Sequence, residues 1–229
     1  MKRFYKSVSL GEVEGGYAVL LDGRTVKTPM RAELVVPGKA LAEALVAEWD
    51  AQEDEIDPHG MPLTRFANTA IDRVWDEPGP VVDEIAGFGA SDHLCYRADE
   101  PEDLIARQVA AWDPLIDWVE ERFGTRPRVT AGIVHVEQPA TLLAALREAV
   151  AACDPFQLSA LHTIVTGTGS LILGLAHMEG RGSIEDIWAA SRVDETWQAE
   201  LWGVDAEATA NAESRQALVR AAAHFLELL

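Results

Sequence analysis

Turn signals crowd the first 36 residues. Gly15-Gly16, Asp22-Gly23 and Pro29 leave only short apolar runs between them, a spacing that suits strands. Phe4, Lys6, Val8 and Leu10 alternate loosely with Tyr5, Ser7 and Ser9, and 17–21 is a second run. Asp22-Gly23 reads as a two-residue hairpin turn, because its backbone tolerates positive φ. Residues 25–28 return, Pro29 stops them, and 33–36 give a fourth strand. An antiparallel meander is the simplest assembly of these pieces.

After Pro37-Gly38 the period changes. Leu41, Ala44, Leu45, Glu48 and Trp49 recur at helical spacing. Asp57-Pro58-His59-Gly60 breaks the chain, and helices are expected over 63–75, 81–88, 101–123, 141–152, 156–178, 184–202 and 206–228. Residues 93–97 and 128–136 read as extended. Ser183 and Asp205 stand where N-caps belong. Strands and helices are thus segregated, which is α+β. The expected division is a β-rich part with one covering helix, 1–60, and a helical bundle, 61–229.

Charge narrows the partners. Lys and Arg number 19 against 38 Asp and Glu, a net −19 over 229 residues. Nucleic-acid phosphates and anionic lipid repel such a chain, and a charged partner face is expected to be basic. Cys95 and Cys153 are too few for a disulfide scaffold and read as buried thiols in a reducing compartment. No signal peptide is visible. The most apolar stretch, 158–178, is broken by His162, Thr163, Thr166, Gly167, Thr168, Gly169 and Ser170, so no membrane span is expected.

Known chemistries find little purchase. In Thr166-Gly167-Thr168-Gly169-Ser170-Leu171-Ile172-Leu173-Gly174 the third glycine falls five residues on, not three, and no Gly-Lys-Ser/Thr follows. Nucleotide binding is therefore not expected, and close helix packing explains the small residues better. His59, His93, His135, His162, His177 and His224 are scattered, with no zinc pattern and no CxxC. There is no nucleophile elbow and no Cys-His signature. Carboxylates are so abundant that nominating a catalytic pair carries no information. No catalytic residue, metal or cofactor is expected, and no small-molecule substrate.

One stretch stands apart: SRVDETWQAELWG, 191–203. On a helical wheel Val193, Trp197, Leu201 and Val204 fall within an arc of roughly 80°, an expected core stripe. Asp194, Glu195, Gln198 and Trp202 share the next face, over roughly 100°. Trp197 is read as core. Trp202 has two readings. Another part of the chain covers it, or it is an exposed anchor of the kind enriched at binding hot spots. Its acidic neighbours would suit a basic partner.

The same residues carry a resemblance. Arg3-Phe4-Tyr5-Lys6, Leu21-Asp22-Gly23-Arg24 with Lys27-Thr28-Pro29, and Glu48-Trp49-Asp50-Ala51-Gln52 come first. Met61-Pro62-Leu63-Thr64, Ala70-Ile71-Asp72, and Gln108 with Trp112-Asp113-Pro114 and Trp118 follow. Thr168-Gly169-Ser170 and Ser191-Arg192 through Gln198 to Trp202-Gly203 close the series. In that order they resemble the assembly chaperones of the catalytic head of F-type ATP synthase, the ATP synthase F1 complex assembly factor 2 family. The resemblance runs from residue 3 to residue 203. It implies a β-rich N-terminal domain joined to a helical bundle, and a protein that binds the unassembled α subunit and shields its interface until β replaces it. It implies no ATP hydrolysis. Because it starts at residue 3, it favours a bacterial cytoplasmic member of a family best known in mitochondria, or a trimmed mature form. The functional acid of the family falls on Asp194 or Glu195, with Gln198, Trp202 and Gly203 alongside as partner-binding residues. A small-molecule enzyme using a carboxylate pair, or an interaction module with another client, are the alternatives.

Overall fold

The structure, a computed structural model, describes all residues from Met1 to Leu229. The fold is α+β, with four strands gathered at the start, then ten α-helices with one short strand pair among them. Two compact units emerge from its packing. The first comprises Met1–Pro78, Cys153–Ala160 and Ala221–Leu229; the second comprises Gly79–Ala152 and Leu161–Arg220. The sequence division at residue 60 follows the chain break at 57–60, whereas these units follow packing and are discontinuous in the chain.

In the first unit, β1 (Val8–Val13) and β2 (Gly16–Leu21) form an antiparallel hairpin in register Val8↔Leu21 to Val13↔Gly16. Asp22 and Gly23 turn the chain with φ of 48° and 80°, as the dipeptide demands. β3 (Arg24–Thr25) then pairs with β2. The fourth strand departs from a simple meander. β4 (Val35–Val36) returns to β2 itself, at Tyr17↔Val36, so β3 and β4 share one edge. A tight turn sends it back: Thr28 N donates to the Ala32 carbonyl and Arg31 N to that of Thr28, both at 2.9 Å. The Asp72 carboxylate fixes this turn, accepting from the Thr28 hydroxyl at 2.6 Å and from Met30 N at 3.0 Å.

Helix α1 (Lys39–Asp50) buries Leu41, Ala42 and Leu45. Its Glu48 reaches the start of α2 (Pro62–Thr69) and accepts from Leu63 N and Thr64 N, each at 2.8 Å. Those orphan amides of the first turn are what a carboxylate satisfies best. Burial pushes the Glu48 carboxyl up despite the hydrogen bonds that pull it down. A π-helical turn, Ala70–Val74, continues α2. Phe66, Phe156 and Phe225 close the core as a cluster, with centroids 5.5 Å apart for Phe66–Phe225 and 6.5 Å for Phe156–Phe225.

The second unit is built on α3 (Pro78–Gly87), α4 (Glu102–Phe123), α5 (Ala140–Ala151), α6 (Pro155–Thr168, from Leu161 on), α7 (Leu171–Met178), α8 (Ile184–Ser191), α9 (Val193–Trp202) and α10 (Ala206–Glu227, as far as Arg220). Two helices expected to be continuous are broken. The one expected over 156–178 stops at Gly169, which has φ of 73°, and restarts with Ser170 as N-cap, its Oγ accepting from Leu173 N at 3.0 Å. Asp92 pins the break. It is fully buried and accepts from the Ser170 hydroxyl and Ile172 N, both at 2.9 Å. Desolvation holds its carboxyl above the usual range. The one expected over 184–202 breaks at Arg192, with φ −118° and ψ 17°.

The small residues near this break do pack closely. A Cβ on Gly167 would lie 2.4 Å from Val219 Cγ2, and one on Gly174 2.6 Å from Val165 Cγ2. Of the two extended segments, only β5 (Tyr96–Arg97) and β6 (Thr130–Ala131) form, as a parallel pair; His93–Cys95 is a 3₁₀ turn. Residues 132–136 make no strand, and Ile133 is 99% exposed. No helix is long and apolar enough to cross a membrane.

Candidate functional site

The stretch singled out in the sequence lies in the second unit and spans the end of α8, all of α9 and Gly203. A capping box opens α8: the Ser183 hydroxyl accepts from Asp186 N while the Asp186 carboxylate accepts from Ser183 N. Asp205 caps α10, accepting from Ala208 N at 2.7 Å. Between α9 and α10 the chain turns on Gly203, with φ 89° and ψ 169°, a conformation essentially confined to glycine.

Helix α4 holds α8 and α9 through a ladder of polar contacts. Trp112 Nε1 donates to the Ala190 carbonyl at 2.7 Å. Gln108 Nε2 donates to Asp194 at 2.7 Å, and Gln108 Oε1 accepts from Ala98 N at 2.8 Å. Arg107 meets Glu200 at 2.7 Å, and Trp197 Nε1 donates to Asp103 at 2.8 Å. From Trp112–Ala190 through Gln108–Asp194 to Asp103–Trp197 the numbers along α4 fall as those along α8 and α9 rise, so the pairing is antiparallel. The Trp197 indole holds the Asp103 carboxyl below the usual range, and the Arg107 guanidinium does the same for Glu200.

This ladder corrects the wheel. Trp197 is buried as expected, at 9% exposure, but Leu201 and Val204 are 55% and 74% exposed. The face against α4 carries Asp194, Trp197 and Glu200, because α4 offers Gln108 and Arg107 there. Apolar periodicity is blind to such polar pairs. Val204 lies beyond the glycine turn and has left the helix altogether.

Trp202 is the other outcome. Nothing in the chain covers it, and it is 74% exposed. Its ring stands edge-on to Trp197, centroids 5.9 Å apart, so a buried tryptophan props up an exposed one. Beside it opens a cleft of about 420 Å³ lined by Arg192, Glu195, Gln198, Trp202, Gly203 and Arg215. Four of the five expected partner-binding residues therefore meet on one surface. Asp194 is apart, half-buried on Gln108. Sequence reasoning missed the cations: Arg192 and Arg215 lie over the Trp188 ring, 5.9 Å and 5.7 Å from its centroid, and Arg192 also pairs with Glu195 at 3.1 Å. The helical spacing of 188, 192 and 195 was the signal available for the first of these contacts. No group of three His, Cys, Asp or Glu side chains is gathered for a metal ion.

The chain matches the family described as ATP12 chaperone protein over residues 2–120. It is also 47% identical to Atp12 from Paracoccus denitrificans, whose crystal structure superposes with a TM-score of 0.95 over 99% of this chain and 97% of that one. The chain belongs to the ATP12 chaperone family. More distant ATP12 relatives agree. Protein atp12, mitochondrial, of Schizosaccharomyces pombe is 24% identical over 88% of this chain and 74% of its own length. Protein ATP12, mitochondrial, of Saccharomyces cerevisiae is 24% identical over 88% and 76%. The family match stops at residue 120, before α9, whereas the Paracoccus Atp12 match covers the cleft as well.

Proposed function

We propose that this chain is an assembly chaperone for the F1 sector of ATP synthase, acting in a bacterial cytoplasm. It binds the unassembled α subunit and shields its subunit interface until β takes that place. The observation that carries the reading is Trp202, a tryptophan left bare at a cleft in a member of a chaperone family. Glu195, Gln198, Trp202 and Gly203 are the proposed contact residues. Asp194 is assigned the role of seating α9 through Gln108. Binding by this face acts by mass action, stabilising the client against aggregation and yielding to a better-fitting partner. Membership in a chaperone family favours this reading over a carboxylate enzyme.

The test is retention of newly made α subunit on the tagged chain. Trp202→Ala and Glu195→Lys, both on exposed side chains, are expected to lose retention while still folding cooperatively, with at most a small drop in melting temperature. Full retention by both variants would remove this surface from the proposal. Retention of some other protein in place of the α subunit would replace the client.

A further inference from the structure

The first unit holds a second groove, of about 450 Å³, that the client reading does not use. The turn between β1 and β2, the approach to β4, the end of the π-helical turn and the first turn of α6 form its walls. Ile71, Trp75 and Phe156 supply an apolar floor, and Glu14, Glu33 and Asp76 stand around it. Phe156 is buried, but Trp75 is 58% exposed and stands edge-on to it at 6.1 Å. Elsewhere in the chain many carboxylates are engaged by arginines or amides. These three make no hydrogen bond and no ion pair, and no Lys, Arg or His lines the groove. An apolar floor with an exposed tryptophan and a rim of unneutralised negative charge fits one kind of occupant.

We propose that this groove docks a cationic amphipathic segment of a partner protein. An apolar side chain lies against Trp75 and Phe156, and flanking lysines or arginines meet Glu14, Glu33 and Asp76. A second copy of this chain is a poor occupant, since each copy carries −19 and the rim would meet like charge. The inference stands apart from the identity of the client at Trp202.

The test titrates the intact chain with three synthetic peptides and follows its amide and indole NMR resonances. One is an amphipathic Leu/Lys peptide, one its Leu/Glu counterpart with the same apolar pattern, and one a Lys/Gly peptide of the same charge. The Leu/Lys peptide is expected to move the Trp75 indole and the Gly15 and Val35 amides, and the other two to leave them in place. Trp75→Ala should weaken its binding roughly tenfold or more, as loss of a central aromatic anchor does. Because Trp75 also packs on Phe156, Asp76→Lys is the second variant. It leaves that packing intact and should weaken binding a few-fold. The proposal is overturned by an equal response to the Lys/Gly peptide, which would mean general attraction to an acidic surface, or by binding of the Leu/Glu peptide. Unchanged affinity in both variants, or self-association of the chain that Trp75→Ala abolishes, would overturn it as well.

Discussion

Trp75 and Trp202 are the two exposed tryptophans, one in each unit, and their surroundings differ in kind. The carboxylates around Trp75 are uncommitted. Those around Trp202 are largely spoken for: Glu195 pairs with Arg192, Glu200 with Arg107, and Asp194 takes the Gln108 amide. An unpaired rim selects the sign of its partner. A rim of paired charges with both signs present selects by shape, since a partner must match a pattern and not a field. Exposure alone therefore says where a protein can be touched, and the pairing of nearby charges says by what.

The largest effect expected is on the second surface. Trp202→Ala should lower α-subunit retention roughly tenfold or more, and its cost in urea denaturation should not exceed about 1 kcal/mol, the worth of its edge contact with Trp197. A large loss of stability would show that Trp202 belongs to the fold and would break the contrast with Trp75. Gln108→Ala comes next. It leaves the Ala98 amide and the Asp194 carboxylate without their partner, at a cost of about 1–3 kcal/mol in equilibrium unfolding. If Asp194→Asn, which keeps an acceptor for Gln108, retains client while Gln108→Ala loses both client and stability, Asp194 acts by seating α9.

Trp75→Ala is expected to cost about 1 kcal/mol, the worth of its edge contact with Phe156. Comparing it with Trp202→Ala in the same unfolding series tests whether the two rings, each edge-on to a buried aromatic, contribute alike to the fold. The smallest effect is a pH dependence. The folded Asp103 pKa is depressed by the Trp197 hydrogen bond. Its contribution is therefore present above the ordinary aspartate range and is lost as pH falls through the folded value. The stability gap between the parent and Asp103→Asn should close as pH drops from 5 toward 2, measured by melting temperature, and a gap that stays constant would refute the assignment.

The sequence was most legible where punctuation is local. Asp22-Gly23, the caps at Ser183 and Asp205, and the period changes all announced their elements. It was least legible where a distant partner decides the outcome. Gly169 and Arg192 interrupt helices because Asp92 and α4 hold the chain there, and neither is near in sequence. The inward face of α9 was misread because Asp194 and Glu200 point at α4 against their polarity. Of the two arginines over Trp188, Arg192 sits at the α8–α9 break and Arg215 on α10, so the wheel of one helix had no means to bring them together. Trp75 closes an amphipathic run without joining its apolar face of Phe66, Ala70, Ile71 and Val74, a hint of exposure that says nothing about its acidic neighbours.

Phe225 packs on Phe66 from the far end of the chain, and Ala221–Leu229 belongs to the same unit as the N-terminal sheet. In synthesis α2 is therefore made early and the ring that packs on its Phe66 arrives late. Through that interval Phe66 lacks this partner, and the closing contact spans most of the chain, the slow kind to form. The newborn protein thus passes through a state with an apolar surface waiting for the piece that fits.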